Sequence, residues 1–183
     1  MDTRLLGILC IAGSVIWVLA ALLGLAFGAP ESSDDIPNLF WAIGAVAGLV
    51  GMIQGNAVGS NPAVRAVAFV PIIALVAMIV TGIARLFDAT VPHYDSLYFG
   101  LLAGMILVSI LTIAAKTWLG WRRFVPLFVL VMFFFISVAV AGDNSPFPGS
   151  WLGPVVMAAP WALLGYVVAT AEPAPAQAQS ATA

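Results

Sequence analysis

What this chain has least of is charge. Six Lys and Arg, eight Asp and Glu and one His are spread over 183 residues, so that 8% of the side chains are charged. A soluble domain carries roughly a quarter charged residues, and no water-facing surface can be assembled from this supply. The other absences narrow the function. His93 is the sole histidine, which removes the paired axial imidazoles usual for a haem inside a membrane. Cys10 is the sole cysteine, so no internal disulfide can form. Its neighbour Leu9 is too large for a lipoprotein box, and the thiol reads as a small buried apolar group.

Catalytic patterns are missing as well. There is no HExxH pair for zinc, no facing pair of carboxylates in apolar stretches, no hydroxyl with an adjacent base and no glycine-rich phosphate loop ahead of a helix. An ionised side chain at the centre of a membrane helix costs about 2.5–3.5 kcal/mol even on the lenient insertion scale, and therefore marks a pathway or site where it occurs. None lies near the middle of any apolar run. A proton relay, a voltage sensor and a charged selectivity ring all lack their parts. The chain is not expected to be an enzyme or to hold a cofactor.

What it does have is apolar length. The chain is 63% hydrophobic, with a mean hydropathy of +1.12. A helix rises 1.5 Å per residue and the hydrocarbon core is about 30 Å thick, so a crossing takes about 20 residues. Six runs meet that length: 5–28, 39–58, 64–86, 96–115, 124–141 and 151–171. They are continuous rather than alternating, which selects helices over barrel strands. The expected fold is all-α, a polytopic bundle of six transmembrane helices forming one domain over 1–171. The remainder, 172–183, is rich in Pro and Ala and poor in bulky apolar residues, and is expected to be a disordered cytoplasmic tail.

The joints sort by charge. Glu31, Asp34 and Asp35 lie in the first, Asp88 and Asp95 in the third and Asp143 in the fifth, whereas Arg4, Arg65, Lys116, Arg122 and Arg123 keep to the other side. The positive-inside rule then places both termini in the cytoplasm, an N-in/C-in topology in the plasma membrane. Arg85 breaks the pattern. Its stem can snorkel from the outer end of the third run toward Asp88 or Asp95. Trp41, Trp118, Trp121 and Trp151 fall near run ends, where indole rings favour the headgroup layer. Ala26 and Gly28 are spaced like a signal cleavage site, but the first run exceeds the 7 to 15 residues of a typical signal core and is read as a span.

Lipid gives apolar helices little reason to associate, so close backbone approach must supply it. Gly44, Gly48, Gly51 and Gly55 recur at spacings of four, three and four on one face of the second run and form the expected helix-packing groove. Gly24 with Gly28, Gly100 with Gly104 and Gly149 with Gly153 repeat the four-residue spacing. Pro71 and Pro160 should bend the third and sixth runs and free carbonyls there. Gly59-Ser60 precedes Pro71 much as Gly149-Ser150 precedes Pro160, and Ala12-Gly13 matches Ala103-Gly104. Such a match between halves is the inverted-repeat pattern of transporters, but here it rests on few residues of a small alphabet and is ascribed to chance.

Two clusters remain. The acidic residues and His93 share one face and could hold a divalent cation, yet His93-Tyr94-Asp95 is no ligand signature and the plain reading is a solvated rim. The stretch Lys116-Thr-Trp-Leu-Gly-Trp-Arg-Arg combines basic and aromatic residues, for which topology and contact with anionic lipid are the ordinary account; no nucleic-acid partner is expected. The leading functional reading is a non-enzymatic scaffold or partner subunit, with a membrane protein or a second copy as its partner. The alternative is a small channel or permease for a neutral or apolar solute, lined by Gln54, Asn56, Ser109, Thr112, Pro71 and Pro160.

Overall fold

A computed structural model describes residues 2–27, 35–87, 95–140 and 152–171. Seven α-helices follow in order: α1 Thr3–Phe27, α2 Asp35–Gln54, α3 Pro62–Val67, α4 Val70–Leu86, α5 Asp95–Ala115, α6 Val125–Val140 and α7 Leu152–Ala169. A 3-10 turn, Gly120–Phe124, leads into α6, and the described residues contain no strand. Among the described residues four stretches are long and apolar enough to cross a membrane: Thr3–Gly24, Ile36–Gln54, Pro62–Leu86 and Leu97–Ala115. Described α6 has 16 residues, about 24 Å at 1.5 Å per residue, and the apolar part of α7, Val155–Ala169, is also shorter than a full crossing.

The third apolar run divides where its proline dictates. Pro71 has no amide hydrogen and its ring collides with the carbonyl four residues earlier, so α3 ends at Val67 and α4 starts afresh with Pro71 in its first turn. Ahead of this pair, Asn61 caps α3 by accepting the Ala63 amide at 2.9 Å. Pro160, by contrast, sits inside α7 without interrupting it.

The helices pack in a ring of antiparallel neighbours. α1 lies against α2, α2 against α4, α4 against α5, α5 against α6 and α6 against α7, and α7 closes back on α1 while also touching α2. The start of α1 and the end of α7 are therefore side by side, with Gly7 against Gly165 and Ala169. Inside the ring, Met52, Leu75, Leu101, Met105, Met157 and Leu164 are buried. Exposed Leu, Ile, Val and Phe cover the outside, a distribution that suits lipid as solvent.

Candidate functional site

Close backbone approaches gather where α1, α2 and α7 meet. A Cβ on Gly44 would lie 3.0 Å from the Cα of Gly13 on α1, and one on Gly48 would lie 2.7 Å from Cys10 Sγ. Gly51 faces Val168 of α7 and Leu6 of α1. Gly55 lies past the end of α2, where only the carbonyls of Gly51 and Met52 are near it. Three of the four glycines thus meet α1 or α7, and α1 and α7 meet each other through Gly7 and Gly165. Gly7, Gly13 and Gly165 escape a search for four-residue spacing because each is paired across helices, not along one. Cys10 is enclosed at this junction and its thiol donates to the carbonyl of Trp161 at 3.2 Å.

The residues considered as a pathway lining sit on α5, at the end of α2, in the first turn of α4 and inside α7. Ser109 and Thr112 are buried on α5, and their hydroxyls donate back to the carbonyls of Met105 and Val108, at 2.7 and 2.8 Å. Ser14 does the same toward Cys10, and these three are the buried polar residues described. A hydroxyl bonded one turn back has spent its donor and keeps only acceptor lone pairs for a passing solute. Gln54 is exposed and Asn56 half-buried at the end of α2. Pro71 is buried against Gly104, whose added Cβ would come within 2.6 Å of the proline nitrogen. Pro160 is buried on α7, but Gly13, the counterpart of Gly104 in the half-to-half match, faces Phe40 and Gly44 instead.

None of these six residues lines either recess in the bundle. One, of about 250 Å³, lies between α1 and α7 beside Ser14, Val15, Leu19, Ala158 and Ala162. The other, about 10 Å³, holds at most one water between Asn38, Met78, Gly82 and Tyr98.

Aromatic side chains missed by the sequence reading tie α1, α2 and α7 together. Trp41 is 2% exposed, stacked on Trp17 with ring centroids 4.9 Å apart and set edge-on to Trp161 at 5.9 Å. Trp17 Nε1 donates to Asn38 Oδ1 at 2.9 Å, whereas the indole nitrogens of Trp41 and Trp161 are buried without an acceptor. Trp41 and Trp118, expected to turn toward the headgroups from the run ends, are instead both buried against the bundle, Trp41 among the rings of Trp17 and Trp161. Trp121 is 54% exposed.

Arg65, Lys116, Arg122 and Arg123 collect where α2, α5 and α7 end, whereas Arg85 lies in the last turn of α4. Arg65 Nη2 donates to the carbonyl of Ile53 at 2.9 Å, Arg122 Nη1 donates to the carbonyl of Thr170 at 3.2 Å, and Lys116 directly follows α5. Helix C-termini present unpaired carbonyls and a partial negative charge, so cations are stabilising there. Thr117 Oγ1 sits 2.7 and 3.0 Å from the carbonyls of Asn56 and Ala57, fastening the α5–α6 joint to the α2–α3 joint.

Among the described residues no three His, Cys, Asp or Glu gather as a metal site. Glu31, Asp34, Asp88, His93 and Asp143, together with the 172–183 tail, lie outside the described residues, and the side chains of Asp35 and Asp95 are likewise not described. The chain matches no family model, no curated protein and no solved structure.

Proposed function

We propose that the chain is an integral plasma-membrane protein of six spans with both termini cytoplasmic, and that it acts as a non-enzymatic scaffold or partner subunit. The observation that carries this reading is how the buried hydroxyls are used: Ser14, Ser109 and Thr112 each donate to a carbonyl of their own helix. A conduit for a neutral solute needs hydrogen-bonding groups turned toward a shared path, because a solute stripped of water must find replacements.

Six spans are supported by the ring, in which α6 and α7 run antiparallel to their neighbours and α7 packs closely on α1. The cytoplasmic placement of both termini is supported by the gathering of Arg65, Lys116, Arg122 and Arg123 at the end where α1 starts and α7 finishes. The partner is a membrane protein or a second copy, met through the apolar outer faces.

Reconstitution into liposomes tests the reading against the channel or permease alternative. Osmotic light scattering should give the same permeability to water, glycerol and urea with and without the protein. A solute-specific increase that disappears in Ser109→Leu would replace the scaffold by a conduit. Gentle extraction should also yield a particle heavier than one chain in its detergent belt.

A further inference from the structure

The elbow between α5 and α6 holds side chains that the fold does not use. It leaves α5 through Lys116, whose φ is +53°, and reverses again at Gly120, whose φ is +62° and whose outer side is empty of neighbours. Both conformations lie in the left-handed region, which a glycine adopts at little cost and a lysine accepts only in a tight reversal. Thr117 pins one side of the elbow to the α2 end, and Arg122 pins the other to the α7 end. Between these two anchors, Leu119 is 81% exposed and Trp121 54% exposed. A leucine and an indole held outward at the end of an apolar bundle reach the boundary of headgroups and acyl chains, the layer that tryptophan favours.

The neighbouring charges of Lys116 and Arg123 take no carboxylate or carbonyl partner among the described residues. Arg65 and Arg122 each spend their guanidinium on a carbonyl at a helix end, but Arg123 does not. Its guanidinium carbon lies 4.8 Å from the Phe124 ring centroid, and its Nε is buried without an acceptor. Among the described residues Arg123 makes no hydrogen bond or ion pair. Lys116 is exposed and has no acceptor either. Among the described residues, the stretches 53–69 and 115–126 contain no Asp or Glu, and Asp2 accepts the Arg4 amide at 2.9 Å at the start of α1.

We propose that this elbow is a headgroup site for an anionic phospholipid. Arg123 supplies a planar donor fork matched to a phosphodiester, Lys116 adds a second positive charge, and Leu119 and Trp121 lie along the first carbons of the acyl chains. Charge complementarity selects an anionic partner. The paired exposed apolar groups select a lipid over a free phosphate, which has nothing to place against them. The site rests on the bundle lying in a bilayer and is independent of whether the interior conducts a solute.

Native mass spectrometry of the full chain, purified in neutral detergent and offered equal phosphatidylglycerol and phosphatidylcholine, reads the preference directly. The wild-type protein should retain phosphatidylglycerol selectively. Arg123→Gln should reduce that selectivity about fivefold, the scale of one basic residue at an anionic surface, while melting as the wild type does. Arg123→Lys should keep most of the selectivity, and Leu119→Gln should weaken retention of both lipids. An undiminished preference in Arg123→Gln overturns the proposal. So does loss of the preference on adding glycerol phosphate at the lipid's concentration, since the elbow would then bind a free anion. Should Arg123→Gln fail to fold, Lys116→Gln carries the test, and an unchanged ratio there has the same consequence.

Discussion

Gly13 of α1 and Gly44 of α2 meet backbone to backbone: a Cβ on Gly13 would fall 2.9 Å from the Gly44 Cα and 2.7 Å from the Phe40 carbonyl oxygen. No side-chain rotation can relieve contacts made with main chain. Gly13→Ala should therefore force α1 and α2 apart and cost about 1–3 kcal/mol, the scale of overpacking in a filled core. Thermal melting in detergent measures it, and an unchanged midpoint would mean that the helices do not cross there.

Two glycines one turn apart on α5 should respond in opposite directions. A Cβ at Gly100 meets the Ala74 Cβ at an ordinary 3.5 Å, whereas one at Gly104 meets the nitrogen and Cα of Pro71 at 2.6 and 2.8 Å. Gly100→Ala should stabilise by about 0.5–1 kcal/mol through helix propensity alone. Gly104→Ala should lose about 1–3 kcal/mol. Equal shifts of the melting midpoint would contradict the packing of α4 on α5.

Arg65 should contribute to stability as well as to orientation. Its bond to the Ile53 carbonyl closes the end of α2, so Arg65→Gln should lose about 1 kcal/mol in the same melt, and more at low salt than at high salt. A loss that does not vary with salt would show that charge at the helix end is not the cause.

Single cysteines test the arrangement of the ends. In a Cys10→Ala background, cysteines replacing Ser60 and Thr170, both exposed, should react with an impermeant maleimide from the same side, and only once the cytoplasmic face is opened. Labelling from opposite sides would break the antiparallel ring.

Much of the fold was legible because hydropathy and proline chemistry are local. The apolar run 96–115 reappears closely in α5, whereas the run 39–58 is met by a helix shifted four residues toward the N-terminus, α2 Asp35–Gln54; Pro71 announces the division of the third run. Other features were not legible. Gly51 and Gly55 look equivalent along α2, yet only Gly51 faces another helix, since Gly55 lies beyond the helix end. Trp41 near a run end reads as an interfacial anchor, but Trp17 and Trp161, 24 and 120 residues away in sequence, stack around it. Ser109 and Thr112 look like polar lining until their bonds to Met105 and Val108 are seen.

The amino-acid order alone determined that the chain is helical, that its long helices are apolar enough to cross a membrane and that no charged residue falls near the middle of an apolar run, because the cost of burying charge and unpaired backbone acts residue by residue. The tertiary structure alone decided which small residues touch, which indoles are enclosed and which guanidinium lies over a ring instead of on a carbonyl. Those outcomes depend on where two helices cross, and a crossing point is a property of the pair.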